Sequence, residues 1–141
     1  MAGYSTTPLI KKLGIKEGFR VGFLNSPKGF NKELGPLPPG VKVLVTNLTK
    51  PIDLIIFFVD KETVLRPSFP VLTQKLASNG MIWIAWPKKS SKVSTDLTFA
   101  NVQRIGLDAG LVDVKICAVN EIWSGLKFVY RLKDRKQLLG S

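Results

Sequence analysis

Two apolar runs, residues 52–59 (IDLIIFFV) and 81–86 (MIWIAW), constrain the fold of this chain more than any other feature. Each has the length of one strand, is rich in β-branched and aromatic side chains, and is apolar on both faces apart from Asp53. A strand with two apolar faces has to be covered on both sides, as central strands of an α/β sheet are. The runs therefore predict a three-layer α/β sandwich with these two strands at its centre.

The other strands are predicted around this centre. Six segments have strand patterns, in chain order 19–25, 41–46, 52–59, 81–86, 111–119 and 125–132. The second alternates, with Val41, Val43 and Val45 on one face, as an edge strand does, and the last two are joined by a short turn at Asn120-Glu121 into an antiparallel hairpin. We expect a mostly parallel sheet with the spatial order second, first, third, fourth, sixth, fifth. Only residues 47–51 separate the second strand from the third, so the second should be antiparallel or very short.

Helices are predicted between the strands. The first is capped by Thr7, has Pro8 at its first position and ends at Gly14, and a brief one covers 31–34. A third begins after Asp60, is interrupted at Pro67 and ends at Asn79-Gly80. The apolar stripe of this third helix contains Phe69, Leu72 and Leu76. A fourth helix is capped by Ser94 or Thr95 and ends at Gly110. Its apolar stripe contains Phe99, Val102, Ile105 and Ala109.

Length and composition predict one domain. With 141 residues and 45% hydrophobic side chains, the chain can build a single core, which we place in residues 1–133, with a polar tail at 134–141 that is frayed or briefly helical. The first residues, MAGYSTTPLIKKLG, lack the pattern of a secretory signal, and no apolar run reaches the about 18 residues of a membrane span. We expect a cytoplasmic protein without membrane association.

The residue inventory argues against most catalytic chemistry. The chain has no histidine and a single cysteine, Cys117, which excludes Ser-His-Asp and Cys-His mechanisms and an internal disulfide. Its ten carboxylates are scattered without a DxD or ExxE cluster, which disfavours a metal site or a paired-carboxylate hydrolase. We therefore predict no catalytic residue and no metal ligand, and favour a protein that is not an enzyme.

Charge favours an anionic partner. The formal net charge is +11 and the isoelectric point is near 10.0, which would attract nucleic acid or anionic metabolites. The basic residues extend along the whole chain, with local concentrations only at 88–92 and 133–136, and such a distribution also serves solubility alone. Both an anionic small molecule and a nucleic acid therefore stay open as partners.

The order of the segments LGIKEGFRVGFLN, IDLIIFFV, LASNGMIWIAWPK, AGLVDVKICAV and GLKFVYRL resembles the class I S-adenosylmethionine-dependent methyltransferase fold, a Rossmann-like sheet that also ends in a reversed hairpin strand. Over nearly the whole chain, the segments AGYSTTPLIKKLGIK, WPKKSSKVSTDLT and NEIWSGLK are similar to a family of small bacterial proteins known only as a domain of unknown function. The resemblance implies a truncated methyltransferase-like fold and does not imply an activity.

The cofactor motif of that fold is missing. Methyltransferases of this fold carry an acidic-x-Gly-x-Gly motif after the first strand and an acid after the second, which grips the ribose. This chain has Asn25-Ser-Pro-Lys-Gly29 at the first position and Thr46-Asn-Leu-Thr49 at the second. We therefore predict no cofactor and a non-catalytic binding or interaction module, with a minimal methyltransferase and electrostatic nucleic-acid binding as alternatives.

Ligands of open α/β sheets bind outside the carboxyl ends of the parallel strands, where neighbouring crossovers leave on opposite faces. The residues predicted to line that crevice come from the loops after the first, third and fourth strands and could hold a phosphate or carboxylate: Asn25, Ser26, Lys28, Gly29, Phe30, Asp60, Trp86, Lys88, Lys89, Ser90, Thr95 and Asp96. The alternative interpretation of the segment 87–96 is a solvated loop in which Ser94 or Thr95 only caps a helix.

The hairpin turn offers a second wall for the same or another pocket. Glu121, Trp123 and Ser124 lie in or beside it, although an aromatic residue at such a position is commonly cross-strand packing. Cys117 falls on a strand, where a small buried hydrophobic role is expected. Exposed edge strands leave two assemblies open, a monomer or an edge-strand homodimer.

Overall fold

The structure, a computed structural model, describes residues 7–139 and shows the Rossmann-like α/β sheet of six strands that the sequence predicts. The strands are β1 (Arg20–Leu24), β2 (Lys42–Leu44), β3 (Ile52–Phe58), β4 (Leu76–Pro87), β5 (Leu111–Ala118) and β6 (Trp123–Tyr130). Their order is β2-β1-β3-β4-β6-β5, as expected. The pairs within β2-β1-β3-β4 are parallel, and β6 is antiparallel to both of its neighbours.

Helices cover the two faces of the sheet. The helices are α1 (Leu9–Leu13), α2 (Phe30–Leu34), α3 (Glu62–Thr73), α4 (Phe99–Asp108) and α5 (Leu132–Leu139), with a 3₁₀ turn at Lys89–Ser91. On one face α1 and α2 pack on Val21, Leu54 and Trp83. On the other, α3 and α4 pack on Ile55 and Ile82. The central strands are thus buried on both sides, which explains why their sequences are apolar throughout.

The connection from β2 to β3 can be short because β2 itself is very short. This strand is parallel to β1 and has only three residues, so the chain between Leu44 and Ile52 has little distance to recover. The loop is fixed across β1 by the Arg20 guanidinium, which donates to the carbonyl oxygens of Thr49 and Pro51, and by Lys75 Nζ, which donates to Leu48 O at 2.9 Å. The side chain of Leu48 fills the space above Gly22, where a Cβ would lie 3.0 Å from a Leu48 methyl carbon.

The prediction for the third helix was wrong at three points. The helix α3 continues through Pro67 and also contains Pro70, it ends at Thr73, and Leu76 opens β4 instead of extending the helical stripe. Asn79 and Gly80 therefore lie in a strand. Both prolines are exposed, so solvent can satisfy the carbonyls that they leave unbonded, while Leu65 and Phe69 bury the opposite side of the helix.

Helix starts also differ from the prediction. Pro8 occupies the cap position of α1, so neither the Thr7 cap nor a proline at the first helical position is correct. The cap of α4 is Thr98, not Ser94 or Thr95, and Thr98 forms a reciprocal capping box with Asn101. Phe99 was expected on the buried stripe, but it is 41% exposed because it begins the helix beyond the edge of the core.

The carboxyl-terminal elements are shifted by a few residues. Strand β6 begins at Trp123 instead of Gly125 and ends at Tyr130, and α5 covers most of the segment assigned to a polar tail. The Tyr130 hydroxyl donates to the Thr73 carbonyl and ties β6 to the end of α3. Over residues 7–139, no helix combines the length and apolar character needed to cross a bilayer.

Candidate functional site

The carboxyl ends of the parallel strands meet at one edge of the sheet. In the ladder, Leu24 of β1 pairs with Phe57 of β3, and Phe58 of β3 pairs with Ala85 of β4, so the exits of the three strands lie side by side. The chain leaves β1 into α2 on one face and leaves β3 into α3 on the other. This is the arrangement in which α/β sheets place a ligand between the two strands.

A cleft of 490 Å³ opens at this edge, on the face that α1 and α2 cover. Its walls come from α1, from the turn between β1 and α2, and from the hairpin turn between β5 and β6. The lining residues are Thr7, Leu9, Lys12, Pro27, Lys28, Gly29, Phe30, Glu33, Val119, Asn120, Glu121, Ile122 and Trp123.

The α1 wall is anchored by a hydrogen bond that spans 70 residues of sequence. Trp83 Nε1 donates to the carbonyl oxygen of Leu13 at 2.9 Å, and both side chains are fully buried. Gly14 ends the helix in the left-handed region, at φ 86, and this lets the chain turn back towards β1. Lys12 Nζ donates to Ala118 O at 3.0 Å, so α1 is also fastened to the end of β5.

The hairpin wall is organised by Asn120. Its Oδ1 accepts hydrogen bonds from the backbone amides of Ile122 and Trp123, both at 2.9 Å, and this fixes the turn. Its Nδ2 donates to Glu33 Oε1 at 2.9 Å and so joins the hairpin to α2 across the cleft. A single side chain therefore sets both the shape of one wall and its distance from the next.

A row of four aromatic rings lies beneath the cleft, and two of them, Phe30 and Trp123, line it as its floor. Phe23, Phe30, Phe58 and Trp123 follow one another in three edge-to-face contacts, with centroid separations of 5.6, 4.9 and 5.1 Å. Such contacts fix ring orientations, so the floor of the cleft is rigid. Phe30 is 1% exposed and belongs to the core more than to the open surface of the cleft.

The cleft carries both signs of charge on an apolar floor. Lys12 and Lys28 contribute the cationic groups, and Glu33 and Glu121 contribute carboxylates. The Glu33 carboxylate accepts a hydrogen bond from Asn120, and the Lys12 ammonium donates one to Ala118 O. The side chain of Lys28 is exposed. An anionic group of a ligand would therefore be placed at Lys28, with an apolar part against Trp123 and the rings beneath. Residues 7–139 contain no group of three or more side chains that could hold a metal ion.

The structure brings part of the predicted site together. Lys28, Gly29 and Phe30 lie in the cleft with Glu121 and Trp123, so the predicted first and second walls belong to one cavity. At Gly29, φ is 87 and a Cβ would meet no atom within 4 Å, which leaves the backbone open to close approach. Sequence reasoning missed the contributions of α1 and Asn120, because only the folded chain places them here.

The rest of the predicted site lies elsewhere. Asp96 Oδ1 accepts from the Glu62 amide at the start of α3 at 2.9 Å, and Thr95 Oγ1 donates to Asp60 O, in the loop before this helix, at 2.7 Å. Trp86 is 5% exposed in the core beneath α3 and α4. Asn25 lines a groove on the α3 face, and the other predicted residues do not line the cleft: Ser26, Lys88, Lys89, Ser90 and Ser124. In the segment after β4, Thr95 and Asp96 thus bond to the loop before α3 and to its first amide, and neither Ser94 nor Thr95 caps α4.

A second, apolar groove of 400 Å³ lies at the same edge on the α3 face. Its lining includes Leu24, Asn25, Phe57, Val64 and Val71, without an acidic residue. The adjoining groove under the loop after β2 also lacks an acidic residue. Neither of these grooves at the ends of β1 and β2 is thus lined by the carboxylates that the resemblance leads us to expect after these strands.

Comparisons with known proteins place the chain by its fold. No protein-family model matches it, and no curated protein matches it, so the likeness to the small bacterial family stays a prediction. Among solved structures, a TehB-like SAM-dependent methyltransferase from Corynebacterium glutamicum aligns with a TM-score of 0.57 and 11% identity over 92% of this chain and 91% of its own. Precorrin-6y C5,15-methyltransferase from Geobacter metallireducens aligns with a TM-score of 0.59 and 9% identity over 87% of this chain and 86% of its own. A DhpI–SAH complex aligns with a TM-score of 0.61 and 11% identity over 89% of this chain and 83% of its own. At these identities the likeness shows a methyltransferase-like fold.

Proposed function

We propose that the protein is a non-catalytic binding module that uses a methyltransferase-like fold to hold an anionic ligand at the carboxyl edge of its sheet. The ligand occupies the cleft between α1, the turn after β1 and the hairpin turn. Lys28 receives its phosphate or carboxylate, and its apolar part rests on Trp123.

One observation carries this proposal. Two walls that are about 90 residues apart in sequence, Lys28–Phe30 and Glu121–Trp123, close on the same cleft at the carboxyl edge of the sheet, where α/β folds bind ligands. The cleft has a rigid aromatic floor and an exposed cation at its rim. A preformed apolar cavity with few polar groups is typical of small-molecule sites.

We propose a non-catalytic role because the chain offers few groups that could act as a base or a nucleophile. The chain has no histidine, and burial raises the pKa of the Cys117 thiol above its usual value, even though nearby lysines oppose this rise. A protonated thiol is a poor nucleophile. The described cleft residues thus supply recognition groups and lack an activated base.

Tryptophan fluorescence tests the proposal. Trp83 and Trp86 are at most 5% exposed, so a ligand in the cleft would act chiefly on Trp123. A panel of nucleotides, nucleoside phosphates and S-adenosyl compounds should contain at least one compound that changes the emission in a saturable way. The change should disappear in Trp123→Phe.

The matched variants are Lys28→Gln and Lys89→Gln. Both remove one exposed lysine from a loop after a parallel strand, but only Lys28 lines the cleft. Loss of a charge-assisted hydrogen bond costs about 1.5–3 kcal/mol, so Lys28→Gln should weaken binding about tenfold or more, while Lys89→Gln leaves it unchanged. Equal effects of the two variants, or no response to any compound, would contradict the proposal.

A minimal methyltransferase is the second candidate, favoured by the likeness to SAM-dependent enzymes over most of the chain. Incubation of the protein with methyl-labelled S-adenosylmethionine and cell extract distinguishes the two. Protein-dependent transfer of label would establish the enzyme and overturn the non-catalytic proposal. Saturable binding in the cleft without transfer would support the binding module.

A further inference from the structure

The α1 face of the hairpin half of the sheet has two lysines directly opposite each other. Lys115 of β5 pairs with Lys127 of β6 in the antiparallel ladder, and Lys127 pairs in turn with Trp83 of β4. Residues paired in this way have Cβ atoms about 5 Å apart on the same face, and like charges in such pairs are destabilising. The Lys127 ammonium lies 5.7 Å from the centroid of the Trp83 ring. The ammonium groups of Lys115 and Lys127 therefore repel each other, and a bound anion would reduce this repulsion.

Further cations surround this pair. Lys12 reaches the end of β5 through its bond to Ala118 O, and Lys16, which follows α1, lies near enough to Lys127 for its charge to lower the pKa of that lysine. The electrostatic neighbours of the Cys117 thiol include Lys12, Lys115 and Lys127, and those of Lys127 include Lys115 and Lys16. We call the four lysines 12, 16, 115 and 127 the basic sheet face. None of them forms a salt bridge with a residue in the described part of the chain.

The basic sheet face is accessible. Lys16 and Lys115 are exposed, Lys12 and Lys127 are partly buried, and α3 and α4 pack on the opposite side of the sheet. Partial burial lowers the pKa of Lys127, and the nearby positive charge of Lys115 lowers it further. The aromatic residue of the row, Trp83, is fully buried, so it cannot stack on a nucleobase.

We propose that the basic sheet face binds the phosphate backbone of nucleic acid without reading its sequence. Four lysines clustered on one face match a polyanion with closely spaced charges, and phosphate contacts position a nucleic acid without specifying bases. This inference goes beyond the binding module proposed above. It concerns a surface outside the cleft apart from Lys12, whose side chain borders both.

The test is binding of a fluorescein-labelled 20-base-pair DNA duplex by the full chain at several salt concentrations. Each phosphate contact contributes about 0.9 to the slope of log affinity against log salt. Lys115→Gln/Lys127→Gln should reduce that slope by about 1.8 and weaken binding about tenfold or more near 0.1 M salt. A duplex of scrambled sequence should bind equally well.

The matched control is Lys42→Gln/Lys50→Gln, which removes the same charge at the opposite edge of the sheet, where both side chains are exposed. This variant should keep the slope and the affinity. Thermal midpoints show that both variants fold, and the first should be at least as stable as the parent because a like-charge pair is removed. Neither variant changes a residue that lines the cleft, so failure here leaves the binding module standing.

Three results would overturn the inference. The first is an equal loss of affinity in both variants, which would mean diffuse attraction by net charge. The second is no duplex binding at low salt. The third is selective binding of anionic lipid vesicles that depends on Lys115 and Lys127 while DNA is not bound, which would assign the face to a membrane surface. Protection of Cys117 from alkylation by the bound duplex would support the inference directly, because this thiol lies among the same lysines.

Discussion

Substitution of Gly106 by alanine tests the packing between α4 and β6. A Cβ at this position would lie 2.0 Å from Phe128 Cε2 and within 2.6 Å of two further ring carbons. Carbon atoms in contact are about 3.5–4.0 Å apart, so the ring or the helix has to shift by about 1.5 Å. Phe128 is fully buried, and its ring contacts Phe69 edge to face at 5.2 Å, which leaves little room for that shift.

The net effect is the difference of two contributions. Overpacking a core costs about 1–3 kcal/mol, and the tight contact here places the cost at the upper end of that range. Alanine in place of glycine inside a helix stabilises by about 1 kcal/mol. Gly106→Ala should therefore lower the free energy of unfolding by about 2 kcal/mol, which corresponds to about 6 °C in thermal midpoint for a domain of this size.

Circular dichroism melts of four proteins measure this effect: the parent, Gly106→Ala, Phe128→Leu and the double variant. In the Phe128→Leu background the ring is gone, so the alanine should be neutral or stabilising. A higher midpoint for Gly106→Ala in the parent background would refute the packing of α4 directly on Phe128.

Three further predictions concern capping, the α1 anchor and the thiol. Asp96→Ala should lower the free energy of unfolding by about 1 kcal/mol in denaturant melts, because the Glu62 amide loses its acceptor, whereas Asp96→Asn keeps an acceptor and most of the stability; equal losses would contradict the capping role. Trp83→Phe should cost about 1–3 kcal/mol, since the buried carbonyl of Leu13 loses its donor, and should weaken ligand binding in the cleft; unchanged values of both would show that α1 is held otherwise. Cys117 should react slowly with iodoacetamide at pH 8 and faster only at higher pH, because burial raises the pKa of its thiol; a rate like that of free cysteine would contradict this burial.

The strand order was predictable from the sequence because burial leaves a direct trace. The two runs that are apolar on both faces are β3 and β4, and the structure places them at the centre of the sheet. The alternating run at 41–46 contains the edge strand β2. For β3 and β4 the local pattern reports that both sides of the strand are covered. For β2 the alternation indicated an edge strand but not which face is buried, because Val43 is 42% exposed and Leu44, on the other face, packs against the core.

Helix boundaries and the site were less predictable because they depend on distant partners. The first amide of α3, that of Glu62, donates to the carboxylate of Asp96, which lies 34 residues away in sequence, while the cap residue Lys61 contributes no side-chain bond. The α1 wall of the cleft is held by Trp83, and Asn120 joins the hairpin to Glu33 across 87 residues. No local pattern marks such contacts, so the sequence predicts a ligand role for Asp96 although its carboxylate accepts from the first amide of α3.

Backbone amide shifts, mapped by ¹⁵N-resolved NMR while the best compound of the panel is added, show where a ligand binds. We expect the shifted amides to cluster at residues 28–30 and 120–123, on the two walls of the cleft. Shifts confined to the apolar groove around Leu24, Val64 and Val71, or spread without a cluster, would contradict a ligand site at this cleft.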